Sequence, residues 1–296
     1  MSASTPPVSK RAQPKKKGWL TRLRQRNVLP GFGLSMGITV FSLSLLVVLP
    51  FAMMAYTTTQ MGWSGFWETI SQPQVTAAIK LTLWMSFLAM LTNMVFGTLV
   101  AWVLVRYEFW GKSLINALVD LPFALPTAVT GISLATLYAP NGLIGQYFEK
   151  FDIQVAFTPI GIWLALVVVS FPFIVRAVQP VLAELSVEFE EAAAVLGANR
   201  MTTFRKIILP ELLPAMLMGA GMMFARATGE YGSVIFIAGN IPMQSEILPL
   251  IIISKLEQFD VQGASAVALF MLLISFVILL TINIVQWRLS RRVGAR

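Results

Sequence analysis

The chain has 296 residues, of which 56% are hydrophobic and 12% charged, about half the charged share of a soluble domain, so a water-soluble globular protein is excluded. The net charge of +8 does not call for nucleic acid, because the basic residues gather in the amino-terminal arm and in short loops, where they orient a membrane protein and attract anionic lipid. With no cysteine and no histidine, disulfides, Cys or His metal sites and any His-dependent nucleophile or proton relay are excluded as well.

Residues 1 to 33 carry Lys10, Arg11, Lys15, Lys16, Lys17, Arg22, Arg24 and Arg26 with no acidic residue, and read as a disordered, basic, cytoplasmic arm. The apolar run at 34 to 56 is too long for the core of a cleavable signal and stays as span one. "WSGFWETISQP", residues 63 to 73, spaces Trp63, Phe66, Trp67 and Ile70 on one helical face and predicts a short interfacial helix. Runs at 76 to 104, 160 to 179, 213 to 238 and 264 to 287 each approach or exceed the about 20 apolar residues that cross a bilayer. A segment at 114 to 138 is counted as span three although it contains Asp120, Pro122, Pro126 and Gly131. The loop 139 to 158 needs no crossing, and 246 to 265 holds an apolar run too short to span, expected to be re-entrant or docked on the outer face. Arg106, Lys112, Arg200, Arg205 and Lys206 fall on one side, and Lys150 and Lys255 on the other. The positive-inside rule then puts both termini in the cytoplasm, the last with Arg288, Arg291, Arg292 and Arg296. The expected fold is an all-α, polytopic membrane protein with six transmembrane helices occupying 34 to 296.

Few groups offer chemistry. "GKS" at 111 to 113 has the tail of a phosphate-binding loop, but the glycine required five positions earlier is Arg106. Asp120 has no second aspartate deep in a span with which to share a proton, so no membrane enzyme is expected and any ATP hydrolysis belongs to another chain. Arg226 and Glu230, four apart within the expected fifth span, are candidates for an anion path or for structural ion pairing, with each other or with a second subunit. Gly221, Ala225 and Gly229 form a small-residue stripe expected at a subunit interface. In span three Pro122 and Pro126 remove backbone donors, and Thr127, Thr130 and Ser133 can re-satisfy freed groups or face a cavity. Such a broken helix either aims N–H groups at an anion or only kinks.

The stretch "EFEEAAAVLGANRMTTFRKIILPELLP", residues 188 to 214, is polar and lies between two spans. Glu188, Glu190 and Glu191 favour a helix start, and Gly197 favours its end. Glu191, Ala192, Ala193, Gly197, Ile207, Leu209 and Pro210 fall in the register E-A-A-x3-G-x9-I-x-L-P. This resembles the EAA motif of permease subunits of bacterial ABC importers. "DLPFALPTAVTGISLATLY", "FPFIVRAVQPVLAEL", "GEYGSVIFIAGNIP" and "LEQFD" extend the likeness over roughly residues 28 to 293 to sulfate/thiosulfate permease subunits of the CysT type.

The resemblance implies the type I ABC importer permease fold, with a cytoplasmic coupling helix between spans four and five that moves with an ATPase. It implies as partners a CysW-type second permease, an ATPase dimer that holds ATP and Mg, and a periplasmic sulfate-binding protein, in the bacterial inner membrane, with no cofactor bound by this chain. Import of another oxyanion such as molybdate is the nearest alternative, and an ATPase-independent anion transporter the next.

Overall fold

A lone segment crossing hydrocarbon must satisfy its backbone internally, which only a helix does. The computed structural model describes residues 32–293 and is helical throughout, with no strand among the described residues. The basic arm lies outside those residues apart from its last two, as do Arg296 and the side chains of Arg291 and Arg292.

In chain order the helices are α1 (Phe32–Gln60), α2 (Gly62–Ile70), α3 (Pro73–Arg106), α4 (Lys112–Ala124), α5 (Thr127–Tyr138), α6 (Gly145–Glu149), α7 (Pro159–Glu184), α8 (Glu188–Val195), α9 (Arg200–Thr228), α10 (Val234–Ile237), α11 (Leu248–Glu257) and α12 (Val261–Val293). Five of them, α1, α3, α7, α9 and α12, are long and apolar enough to cross a membrane, and α4 with α5 makes a sixth span if the bent pair is taken as one. The chain divides into two units, one ending at Met53 within α1 and one running on from Met54.

In the second unit α3, α7 and α9 form the centre, packed through Ala89, Ile174, Val178, Leu182, Leu212 and Met223. Small residues set the spacing. A Cβ at Gly97 of α3 would stand 2.9 Å from the Ile174 side chain, and one at Gly219 of α9 would stand 2.9 Å from Ala177, so the axes approach as closely as glycine permits. The stripe of Gly221, Ala225 and Gly229 is only partly occupied within the chain. Gly221 faces Ile282 and Leu279 of α12, so this end of the stripe is covered within the chain, while Ala225 is half-buried and Gly229 exposed.

Span three is broken more sharply than a kink: α4 and α5 meet at 110°. The break falls at Leu125, held extended at ψ 139 by the following Pro126, whereas Pro122 lies inside α4 without interrupting it. Span five is displaced from its expected 213 to 238. Asn199 starts its helix early, its side chain accepting from the Thr202 N–H at 2.8 Å, and Gly229 ends it just after Thr228. Hydropathy alone ran through that stop because "GEYGSVIFIA" averages apolar.

The short elements follow their patterns. Phe66 and Ile70 of α2 are buried and Trp63 and Trp67 remain exposed, with Phe66 and Trp67 each 6.4 Å from the Phe270 ring of α12. α11 is too short to span and packs on α3 and α12 through Leu248 and Ile251, its Leu248 N–H donating to Thr82 Oγ1 at 2.9 Å. Asp260 caps α12, accepting the Gly263 N–H at 2.8 Å and pairing with Lys255 at 3.1 Å. Burial pushes its carboxyl up, but the Gly263 and Lys255 contacts outweigh that and hold it below the ordinary carboxylate range.

Candidate functional site

The polar loop between α7 and α9 forms the helix expected of it. Glu188, Glu190 and Glu191 occupy the first turn of α8, where the helix dipole favours negative charge. At the other end Gly197 takes φ +80, the Gly197 N–H bonds Ala194 O at 3.0 Å and the Ala198 N–H bonds Ala193 O at 2.9 Å. These are the paired bonds of a Schellman ending, which needs the left-handed residue that glycine supplies at no steric cost. Ala193 is the buried residue of α8, while Ala192 and Glu191 are exposed. Val195 and Leu196 are 88% and 87% exposed, an apolar tip on a polar helix.

The second half of the motif shapes the start of α9. Pro210 has no N–H and cannot accept a regular turn before it, and residues Phe204–Ile208 widen into a π turn in which the Leu209 N–H reaches Phe204 O. Ile207 and Leu209 are partly buried along this turn, Leu209 against the central core.

Beside α8 lies a cavity of about 570 Å³ lined by Trp102, Glu190, Glu191, Arg200, Phe204 and Ile208 among others. Arg106, at the end of α3, reaches across to Glu190 with Nη2 2.8 Å from Oε1. From its place in a loop, Arg106 was expected only to orient the chain.

Arg226 and Glu230 do meet. Arg226 Nη1 lies 2.6 Å from Glu230 Oε2, with the two side chains 39% and 2% exposed. Arg226 stands in the last turn of α9 and Glu230 just past its end, not midway along a span as expected. Glu230 Oε1 accepts from both the N–H and Oγ of Ser233, each at 3.0 Å, so the buried carboxylate has a partner on each oxygen.

The break in span three sits against this turn. A Cβ at Gly232 would fall on the Thr127 side chain, and one at Gly131 on the Ser233 carbonyl. Thus Pro126, Thr127 and the segment from Glu230 to Ser233, two candidates separated by a hundred residues, are adjacent. Asp120, on α4 with Pro122, belongs to a different cluster, in which Pro122 itself takes no part.

That cluster centres on Arg176 of α7, which sequence reasoning left out. Arg176 donates from Nε to Asp120 Oδ1 at 2.7 Å and from Nη2 to Asp120 Oδ2 and to Asn116 O at 3.0 Å. Its Nη1 donates to Asn116 Oδ1 at 3.1 Å and to Gln179 Oε1 at 2.6 Å. All five guanidinium donors are used. The signal was present, since a lone arginine in an expected span needs a counter-charge and Asp120 was the acid still lacking one. Both side chains are partly exposed, so Arg176→Gln is expected to cost only about 1–2 kcal/mol. It should lower the melting temperature in detergent by a few degrees, and Asp120→Asn less because an amide keeps part of the network; an unchanged melting temperature for both would show that the cluster does not hold α4 to α7.

A set of apolar spans packed on small residues, with a broken span and a polar connecting helix between two others, is the architecture of a multi-pass membrane permease. Residues 93–295 match the model of the binding-protein-dependent transport system inner membrane component, and the chain belongs to this family. It is 49% identical over 268 residues to the sulfate transport system permease protein CysT of Salmonella typhimurium, covering 90% of this chain and 97% of that one. It is 45% identical over 276 residues to the CysT protein of Synechococcus elongatus, covering 93% and 96%. Among solved structures a bacterial ABC transporter that imports alginate superposes with a TM-score of 0.71 at 18% identity, over 91% of this chain and 98% of that chain. The MetNI methionine ABC transporter gives 0.55 at 19% identity, over 74% and 99%. At such identity these two speak for the fold alone, that of type I ABC importer permeases.

Proposed function

We propose that this chain is the CysT-type permease subunit of an ATP-driven sulfate/thiosulfate importer. The observation that carries the reading is the 49% identity to a sulfate permease over 97% of that protein's length. The chain has no catalytic site of its own and binds no cofactor; ATP and Mg²⁺ sit on a partner ATPase dimer. A second permease of the CysW type and a periplasmic sulfate-binding protein complete the assembly, and both termini of this chain face the cytoplasm.

In this reading α8 is the coupling helix. Its exposed Val195 and Leu196 enter a groove of the ATPase, with Glu191, Ala192, Ala193 and Gly197 setting the shape of the helix and Ile207, Leu209 and Pro210 the turn that leads into the membrane. Closure of the ATPase dimer on ATP moves α8, and the paired permeases turn from inward- to outward-facing. The cycle is needed because a dianion cannot enter hydrocarbon without replacement hydrogen bonds. Asp120, Pro122, Pro126, Thr127, Arg226 and Glu230 line the route or hold its walls.

Reconstitution of the four components in liposomes tests the function. ATP-dependent accumulation of radiolabelled sulfate, competed by unlabelled sulfate or thiosulfate but not by molybdate, is expected. Uptake indifferent to ATP would overturn the importer, and preferential competition by molybdate would move it to another oxyanion.

A further inference from the structure

Arg106 makes three contacts, two of them with segments about eighty residues further along the chain. Its Nη2 lies 2.8 Å from Glu190 Oε1 of α8 and donates to the carbonyl of Leu185 at 3.2 Å. Leu185 is the residue that ends α7, so a cation stands where the helix dipole is negative and a free carbonyl needs a donor. The guanidinium carbon lies 5.8 Å from the centroid of the Trp102 ring, within reach of a cation–π contact. That ring meets Phe204, in the π turn of α9, edge to face at 6.0 Å. One side chain, itself rooted on α3, therefore touches α8 and α7 and, through Trp102, is linked to α9.

The joint is not at its best geometry. Arg106 Nε is buried without a hydrogen-bond partner among the described residues, although buried polar atoms are ordinarily satisfied, and Nη2 meets Glu190 Oε1 as an ion pair that is not aligned as a hydrogen bond. A single nitrogen serves both Leu185 and Glu190, whereas arginine and a carboxylate pair best through two parallel bonds. The cavity of about 570 Å³ borders Glu190, so the side of α8 that carries this contact is not packed shut.

We propose that Arg106 is a positioning residue for transport, passing movement of α8 into α3, α7 and α9. The proposal rests on α8 being the ATPase-docking helix. Arg106→Gln and Arg106→Lys, assembled with all partners, should retain ATPase association in pull-down. Sulfate accumulated per ATP hydrolysed in liposomes should fall about 10-fold for Arg106→Gln, a size typical of a coupling free energy between sites, and less for Arg106→Lys, which keeps the charge without the fork. Charge reversal separates a joint from a packing role: Arg106→Glu should lose coupling, and Arg106→Glu with Glu190→Arg should recover a substantial part of it. An unchanged sulfate-to-ATP ratio in Arg106→Gln overturns the proposal. So does loss of association in step with uptake in both single variants, or a reversed pair no better than Arg106→Glu. The reading of α8 stands or falls separately, on whether ATPase association is lost when the tip is made polar by Val195→Ser with Leu196→Ser.

Discussion

Gly197→Asp is expected to reduce sulfate uptake by more than about tenfold, a loss of about 1.4 kcal/mol of coupling, while the protein reaches the membrane at its usual level. The residue sits at φ +80, and a Cβ there would meet nothing within 4 Å. The penalty is therefore not a clash but backbone strain, at most about 1–2 kcal/mol for a side chain in the left-handed region and at the low end of that for aspartate. A negative charge at the carboxyl end of α8 adds to it. Together they loosen the bonds from Gly197 and Ala198 to Ala194 and Ala193 that set where Val195 and Leu196 point, and no spanning helix is touched. Association with the ATPase should fall in step with uptake. Gly197→Asn, which tolerates the left-handed region and brings no charge, should keep most of both. Wild-type uptake by the aspartate variant would remove α8 from the coupling pathway.

The second large effect is expected at Arg226 and Glu230, where geometry makes the two single variants unequal. Glu230 is 2% exposed and Arg226 39%. Arg226→Gln leaves a buried carboxylate facing only the Ser233 donors, and breaking a buried pair in this way costs about 3–5 kcal/mol. Glu230→Gln leaves a cation that is only partly buried in this chain and should cost less. Assembly, followed by co-purification of the second permease and the ATPase, should drop most in Arg226→Gln. The double variant removes both charges and should restore assembly together with much of the uptake if the pair is structural. Restored assembly and intact ATP hydrolysis stimulated by the binding protein, with no sulfate uptake, would instead place Arg226 on the anion's route.

Composition and one motif determined most of what this protein is. Bilayer thickness imposes a minimum length on a spanning helix, and no other backbone satisfies itself in lipid, so the spans were legible as long apolar runs. The ending of α8 was legible too, because a left-handed position after a helix selects glycine for a steric reason that acts within a few residues. Hydropathy could not place the ends of span five: Asn199 acts through a side-chain cap, and the helix stops at Gly229 inside a stretch whose average stays apolar. It also could not tell which partner a small-residue stripe receives. Gly221 would suit any helix, and only the packed chain shows α12 lying on it. Long-range pairings were decided by the tertiary structure alone. Asp120 with Arg176, Arg106 with Glu190, and Thr127 against Gly232 each join segments at least fifty residues apart. A charge inside a span announces in the sequence that it needs a partner, but which of several candidates answers depends on how the helices pack around one another.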